Sequence, residues 1–201
     1  MDTMKSLLSI LLFMGSLFLM SGLAHAEEVP LTGFYGGLGT TFAAPTGNNA
    51  DKWDVENGFG GNLKLGYNIN SRFAVELDSL AVAGFKDRYD ARTFGLIASI
   101  NGKGYFMERS TARLFQPYGL VGVGYGHFNT GNGRDDIGNA INNGVVVDGP
   151  MLRTGVGVDY IVTSTISVYA EVSYYKGVGD GDLADSPFDL IPVAVGVQVK
   201  F

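Results

Sequence analysis

The run Ile166-Ser167-Val168-Tyr169-Ala170-Glu171-Val172-Ser173-Tyr174 decides the fold. Ser167, Tyr169, Glu171 and Ser173 share one face, and apolar residues hold most of the other. Strict period-two alternation over this length is the pattern of a strand with one apolar face. It recurs in Leu63-Lys64-Leu65-Gly66-Tyr67-Asn68-Ile69 and in Phe73-Ala74-Val75-Glu76-Leu77-Asp78. The chain closes on it with Val193-Ala194-Val195-Gly196-Val197-Gln198-Val199-Lys200-Phe201. Eight such segments are expected, near 33–43, 58–69, 73–83, 92–106, 115–128, 149–162, 166–175 and 188–201. Their connections alternate. Asn70-Ser71-Arg72 and Thr163-Ser164-Thr165 are tight turns and Met107 to Leu114 is a moderate one, whereas 44–57, 84–91, 129–148 and 176–187 are long and polar.

The composition agrees. The 201 residues include 30 Gly and no Cys, are 12% aromatic and 17% charged, and carry a net charge of −6. A low charged share with many aromatics is unlike a disordered chain, and the glycines follow no collagen period. The negative balance offers no basic surface for nucleic acid, so no nucleic-acid partner is expected. Without Cys there is no disulfide, thiolate metal site, Fe–S cluster or thiol nucleophile.

Residues 1–26 form a separate unit. Lys5 precedes the apolar run Leu7 to Met20, and Ala24-His25-Ala26 supplies the small-x-small pattern of a signal-peptidase site. The run is about 14 residues, shorter than the ~20 a membrane helix needs, so it reads as a secretory signal peptide cleaved after Ala26. Residues 27–201 then form one β-barrel domain, in which His127 is the only histidine. No later run approaches the length of a membrane helix.

An even number of strands, short turns at one end and long loops at the other describe a transmembrane β-barrel. Alternation alone does not decide which face is outside, because a lipocalin-like barrel has the same pattern turned inside out. The aromatics decide it. With the N-terminus of the domain on the periplasmic side, Phe34, Tyr67, Phe73, Phe106, Phe115, Tyr118, Tyr160 and Phe201 fall at one end of the strands. Phe42, Phe59, Phe94, Phe128, Tyr174 and Phe188 fall at the other. Two belts flanking an apolar band mark a bilayer. Lipid satisfies no backbone polar group, so the sheet closes. Pro117 and Pro150 sit near strand starts and Pro192 toward the loop end of the last strand, where a missing donor costs least. The glycines are expected to line a crowded lumen.

The Gly33-Phe34-Tyr35-Gly36-Gly37 opening, the Pro117-Tyr118-Gly119-Leu120-Val121-Gly122-Val123-Gly124-Tyr125 strand and the Val195, Val197, Val199, Phe201 stripe resemble the OmpA/OmpX-type small outer-membrane barrels. The resemblance spans essentially the whole domain. It implies an all-β, eight-stranded antiparallel up-and-down transmembrane barrel in a Gram-negative-type outer membrane. It also implies that Val195, Val197, Val199 and Phe201 form the signal read by the barrel-assembly machinery. The chain ends with the barrel, so the peptidoglycan-binding domain of full-length OmpA is not expected.

Candidate chemistry is sparse. Gly122-Val123-Gly124-Tyr125-Gly126 imitates part of a nucleotide-binding loop but lies within a strand. Some barrels of this kind deacylate lipid A with a His-x-Ser pair. Here the run is His127-Phe128-Asn129, and Asn129 is no nucleophile; Thr130 is out of register, and no acid is evident to orient the base. Asp180, Asp182 and Asp185, with Asp51, Asp54, Glu56, Asp135 and Asp136, form an acidic outer face rather than a calcium loop. Catalytic, cofactor and metal sites are therefore not expected. The inward charges Lys64, Glu76, Lys103, Arg153, Asp159 and Glu171 balance in sign and are expected to form a network that plugs the lumen. The expected role is structural or interaction-based: membrane integrity, adhesion or binding by the loops. A small-solute diffusion channel is the alternative and a lipid A-modifying enzyme a remoter one. Expected partners are outer-membrane lipid and lipopolysaccharide, and the assembly machinery through Phe201.

Overall fold

The computed structural model describes residues 32–46, 56–86, 92–110, 113–131, 133–134, 140–141, 145–178 and 189–201. The expected signal peptide, Phe188 and the acids Asp51, Asp54, Asp135, Asp136, Asp180, Asp182 and Asp185 lie outside these residues. The strands are β1 (Gly33–Thr46), β2 (Gly58–Asn68), β3 (Phe73–Lys86), β4 (Arg92–Tyr105), β5 (Phe115–Thr130), β6 (Gly133–Arg134), β7 (Ala140–Ile141), β8 (Val145–Ile161), β9 (Ile166–Gly177) and β10 (Asp189–Lys200). Eight of them close into an antiparallel barrel in the order β1-β10-β9-β8-β5-β4-β3-β2. Short β6 and β7 pair with each other inside the β5–β8 connection, where only a loop was expected.

Closure rests on the pairing of β1 with β10, which runs from Tyr35↔Lys200 to Thr46↔Asp189 and leaves no free edge. Side-chain oxygens cap two of the tight turns. Asn70 Oδ1 accepts from the Arg72 and Phe73 amides at 2.8 and 2.9 Å, and Thr163 Oγ1 accepts from the Ile166 amide at 2.9 Å. At Ile191 and Pro192 the β10–β9 ladder skips, resuming from Leu190↔Tyr175 to Val193↔Val172. Proline has no N–H to donate there.

The strands outrun their expected ends at the loop side: β1 reaches Thr46, β3 Lys86 and β5 Thr130, and β8 begins at Val145. Beyond the apolar band the outward positions turn polar, as at His127, Asn129 and Asp148, so the alternation that marks a lipid-facing strand fades while the ladder continues. In β3 the register shifts between Ala83 and Phe85. Gly84 sits in this bulge at φ +89°, a conformation that glycine adopts without strain. The bulge switches the parity of the strand, so Ala83 and Gly84 are exposed and Phe85 turns fully inward.

The outer wall is apolar. Leu38, Val121 and Val123 are each more than 60% exposed, which only a non-aqueous surround makes favourable. Phe34 packs on Tyr67 and Phe115 on Tyr160 at the turn end, and Phe42 packs on Phe59 at the loop end. Two expected belt members do not belong to the belts. Tyr118 and Phe128 are fully buried inside the barrel, because each shares its parity with Gln116, Leu120 and Gly126 rather than with outward Val121 and Val123.

Candidate functional site

The lumen holds the polar chemistry, in layers. At the loop end an apolar cluster fills the barrel, including Leu80, Phe85, Ile97, Phe128, Met151 and Leu190. Below it lies an ionic layer. Lys64 extends from β2 to three carboxylates: Glu171 at 2.7 Å, Glu76 at 3.3 Å and Asp78 at 3.6 Å. Arg153 from β8 joins Glu171 at 2.5 Å and Asp78 at 2.9 Å. Tyr175 lies under the Arg153 guanidinium at 4.9 Å, where apolar cap and ionic layer meet.

Toward the turn end, Lys103 donates to Asp159 at 2.9 Å and Tyr105 donates to the same oxygen at 2.7 Å. The Lys103 ammonium stands 3.6 Å from the centre of the Tyr118 ring. Two tyrosine hydroxyls tie this layer to the one above: Tyr35 donates to Glu76 at 2.8 Å and Tyr118 to Glu171 at 3.0 Å. Gly66 and Gly157 make room for these rings, because a Cβ at either position would strike Tyr35 or Tyr118. Not every glycine does this; exposed Gly102 and half-buried Gly104 sit on the outer wall.

All six charges read from the sequence point inward, but they form two groups: Lys64, Glu76, Arg153 and Glu171 in one, Lys103 and Asp159 in the other. The reading left out Asp78, which bridges Arg153 and Lys64. Parity placed Asp78 inward; only the register, which sets β3 against β2 with Lys64↔Asp78, shows what it meets.

A further residue comes from the turn between β4 and β5. Arg109 is 4% exposed. It donates to Asn68 Oδ1 at 2.9 Å and to the Asn70 carbonyl at 2.8 Å, and its guanidinium lies 4.8 Å from the Tyr105 ring. The turn thereby folds under the barrel and closes that mouth. A turn has no periodicity, so no sequence signal marks Arg109.

On the outer wall, His127 Nδ1 lies 2.5 Å from Asp148 Oδ1, directly opposite it on β8. An acid does orient this histidine, contrary to the sequence reading, which had no strand pairing with which to find Asp148. Asn129 and Tyr125 flank His127 on its own strand, Leu96 faces it from β4, and Thr130 turns inward to bond Thr93 Oγ1 at 2.8 Å. Among these neighbours no serine or threonine hydroxyl is turned toward the histidine. Among the described residues no group of three or more His, Asp or Glu is arranged to hold a metal ion.

The model of the outer membrane protein beta-barrel domain family matches residues 9–201. The chain belongs to this family. Solved structures with the same architecture include Neisserial surface protein A, with a TM-score of 0.62 at 16% identity, covering 84% of this chain and 97% of that one. OprG of Pseudomonas aeruginosa gives 0.60 at 18% identity over 85% and 97%. Ail, the attachment invasion locus protein of Yersinia pestis, gives 0.52 at 16% identity over 85% and 97%. At these identities the likeness shows the fold. No curated protein sequence matches the chain.

An outer-membrane location follows from the family and gives the two ends their sides. The turn end with Arg109 is periplasmic, and the long connections face outward. Val193, Val197 and Val199 of this outer-membrane barrel face the bilayer from β10, Val195 is half-buried on the same face, and Phe201 is 80% exposed at the periplasmic edge.

Proposed function

We propose that this outer-membrane barrel is a sealed scaffold whose role is structural or interaction-based: membrane integrity, adhesion or binding through its extracellular loops. One observation carries the reading, the filling of the described lumen from apolar cap through ionic layer to the Arg109 closure. An ion crossing it would have to break buried pairs that share carboxylates, and breaking one such pair costs about 3–5 kcal/mol. The barrel is non-catalytic on this reading, because among the described residues no serine or threonine hydroxyl stands beside the pair His127–Asp148. A signal peptide cleaved after Ala26 directs the chain to the periplasm. The assembly machinery takes up the domain through the outward stripe of Val195, Val197, Val199 and Phe201. Lipid and lipopolysaccharide surround the apolar wall.

The test is single-channel recording of refolded protein in a planar bilayer, with folding first checked by the gel shift between boiled and unboiled samples. The expected result is a folded barrel that gives no discrete steps. Reproducible steps would overturn the reading, install the small-solute channel and make the lumen charges its selectivity elements.

A further inference from the structure

β8 outruns one of its two neighbours. Its ladder with β5 starts at Thr130↔Val145, whereas its ladder with β9 starts only at Met151↔Gly177. Residues Val145–Pro150 are thus paired along one edge of the strand. A single bond fixes which backbone groups lie along the other. The Pro150 carbonyl accepts the Val178 amide at 3.0 Å, so it points to the side of β9. Successive residues of a strand send their N–H and C=O groups to opposite edges. Val146 and Asp148 share the parity of Pro150 and turn theirs to the side of β9, past its last paired residue. Val145, Val147 and Gly149 turn theirs to β5, opposite Thr130, Phe128 and Gly126. Pro150 has no N–H with which to return the Val178 bond, and the ladder with β9 goes no further. Among the described residues nothing meets the two N–H and two C=O groups of Val146 and Asp148 on that side.

The two flanks of this open edge differ. On the inner flank Val147 is buried in the apolar cap that also holds Phe128, Tyr175 and Leu190. On the outer flank Val146 is 48% exposed, and the Asp148 carboxylate, paired with His127, is open to solvent. The three valines Val145–Val147 favour an extended backbone. The edge lies at the extracellular end, beyond the apolar band, so lipid does not cover it. Unpaired N–H and C=O groups in register on a rigid strand are a template for a further strand.

We propose that the Val145–Gly149 edge of β8 is a docking site for an extended peptide segment of a protein partner, which joins the sheet as an added strand. The inference rests on the reading of this barrel as a scaffold that binds at its extracellular end, and names the kind of partner taken there. Val146 and Asp148 supply the backbone hydrogen bonds and set the register. Side chains of the added strand alternate between the two flanks, so the apolar cap favours apolar residues at one parity and Asp148 favours Lys or Arg at the other.

The test is amide hydrogen exchange of the refolded barrel in micelles, read residue by residue by NMR. The probe is an end-blocked hexapeptide of alternating valine and lysine. In the free protein the Val146 and Asp148 amides are expected to exchange at least about 100-fold faster than those of Val147 and Gly149. The probe is expected to slow both, saturably and by at least about fivefold, and to leave Val147 and Gly149 unchanged. Val146→Pro deletes a donor of the open edge and no bond to β5, and is expected to abolish the protection at Asp148 while the barrel still folds. The same hexapeptide methylated on its backbone nitrogens cannot donate and is expected to protect neither amide; it serves alone if Val146→Pro does not fold. Slow exchange at Val146 and Asp148 in the free protein overturns the proposal, because the edge is then already paired within the chain. Absence of saturable protection overturns it, as does protection that survives Val146→Pro or backbone methylation. Each of these failures leaves the scaffold reading standing, since that reading is tested separately by single-channel recording.

Discussion

Replacing Lys64 with Met tests whether the ionic layer is organised around that cation. The Met stem keeps most of the Lys volume and leaves the ammonium's three carboxylates, at 2.7, 3.3 and 3.6 Å, without it. Removing one partner of a buried ion pair costs about 3–5 kcal/mol. Each carboxylate keeps at least one other contact: Glu171 retains Arg153 and the Tyr118 and Ser173 hydroxyls, Asp78 retains Arg153, and Glu76 retains the Tyr35 hydroxyl. The lower figure, about 3 kcal/mol, therefore applies. Glu171→Gln is the control. It takes a negative charge from a cluster of three carboxylates around Lys64 and Arg153 and keeps an amide oxygen as acceptor, so its cost is that of weakened hydrogen bonds, about 1–2 kcal/mol. For a domain of this size each kcal/mol moves the midpoint by about 2–4 °C, giving a fall of about 6–12 °C for Lys64→Met against about 2–8 °C for Glu171→Gln. Both variants are melted in the same detergent and salt and read by the gel shift. If Glu171→Gln is as damaging as Lys64→Met, the layer is not organised around the Lys64 cation and the reasoning fails.

Phe85→Ala is expected to cost about 3–5 kcal/mol in the same melt, since the bulge at Gly84 places that ring in the apolar cap; a loss near zero would mean the ring faces lipid. Phe201→Ala is expected to lower the amount of assembled barrel in cells while leaving refolding into detergent unchanged, because the ring is 80% exposed and supports little packing. Normal assembly in cells would remove the stripe from the list of recognition signals.

The alternation in Ile166–Tyr174 and its relatives was enough for the class, the strand number and the inward face, because lipid outside and charge inside divide each strand by parity. Parity acts within one strand, however, and partners are set between strands. Asp78 lies on the expected face, but only the pairing Lys64↔Asp78 and the reach of Arg153 across the lumen make it part of the ionic layer. The same limit hid Asp148 from His127. Tyr118 and Phe128 were misplaced for a different reason: counting aromatics at strand ends ignored their parity, which was present in the sequence through Gln116 and Leu120. Phe85 needed the bulge, and the isolated Gly84 near a strand end was its only advance sign.

The placement of charge also bears on where a ligand would be met. Among the described barrel positions, outward charge lies toward the loop end, at Arg92 and Lys176 as well as at His127 and Asp148, which pair on the ribbon of β5 and β8. These are the longest strands of the barrel, at 16 and 17 residues, while a tilted strand crosses the bilayer in about 9–11. The excess carries the sheet hydrogen bonding out past the apolar band, so the ribbon that bears the β5–β8 connection is a continuation of the rigid wall. On the proposed reading, a sealed and internally paired lumen keeps that wall from flexing. The last paired residues of that ribbon, Thr130 and Val145, are then held at a fixed distance from the lipid surface, which reduces the ordering cost of binding there.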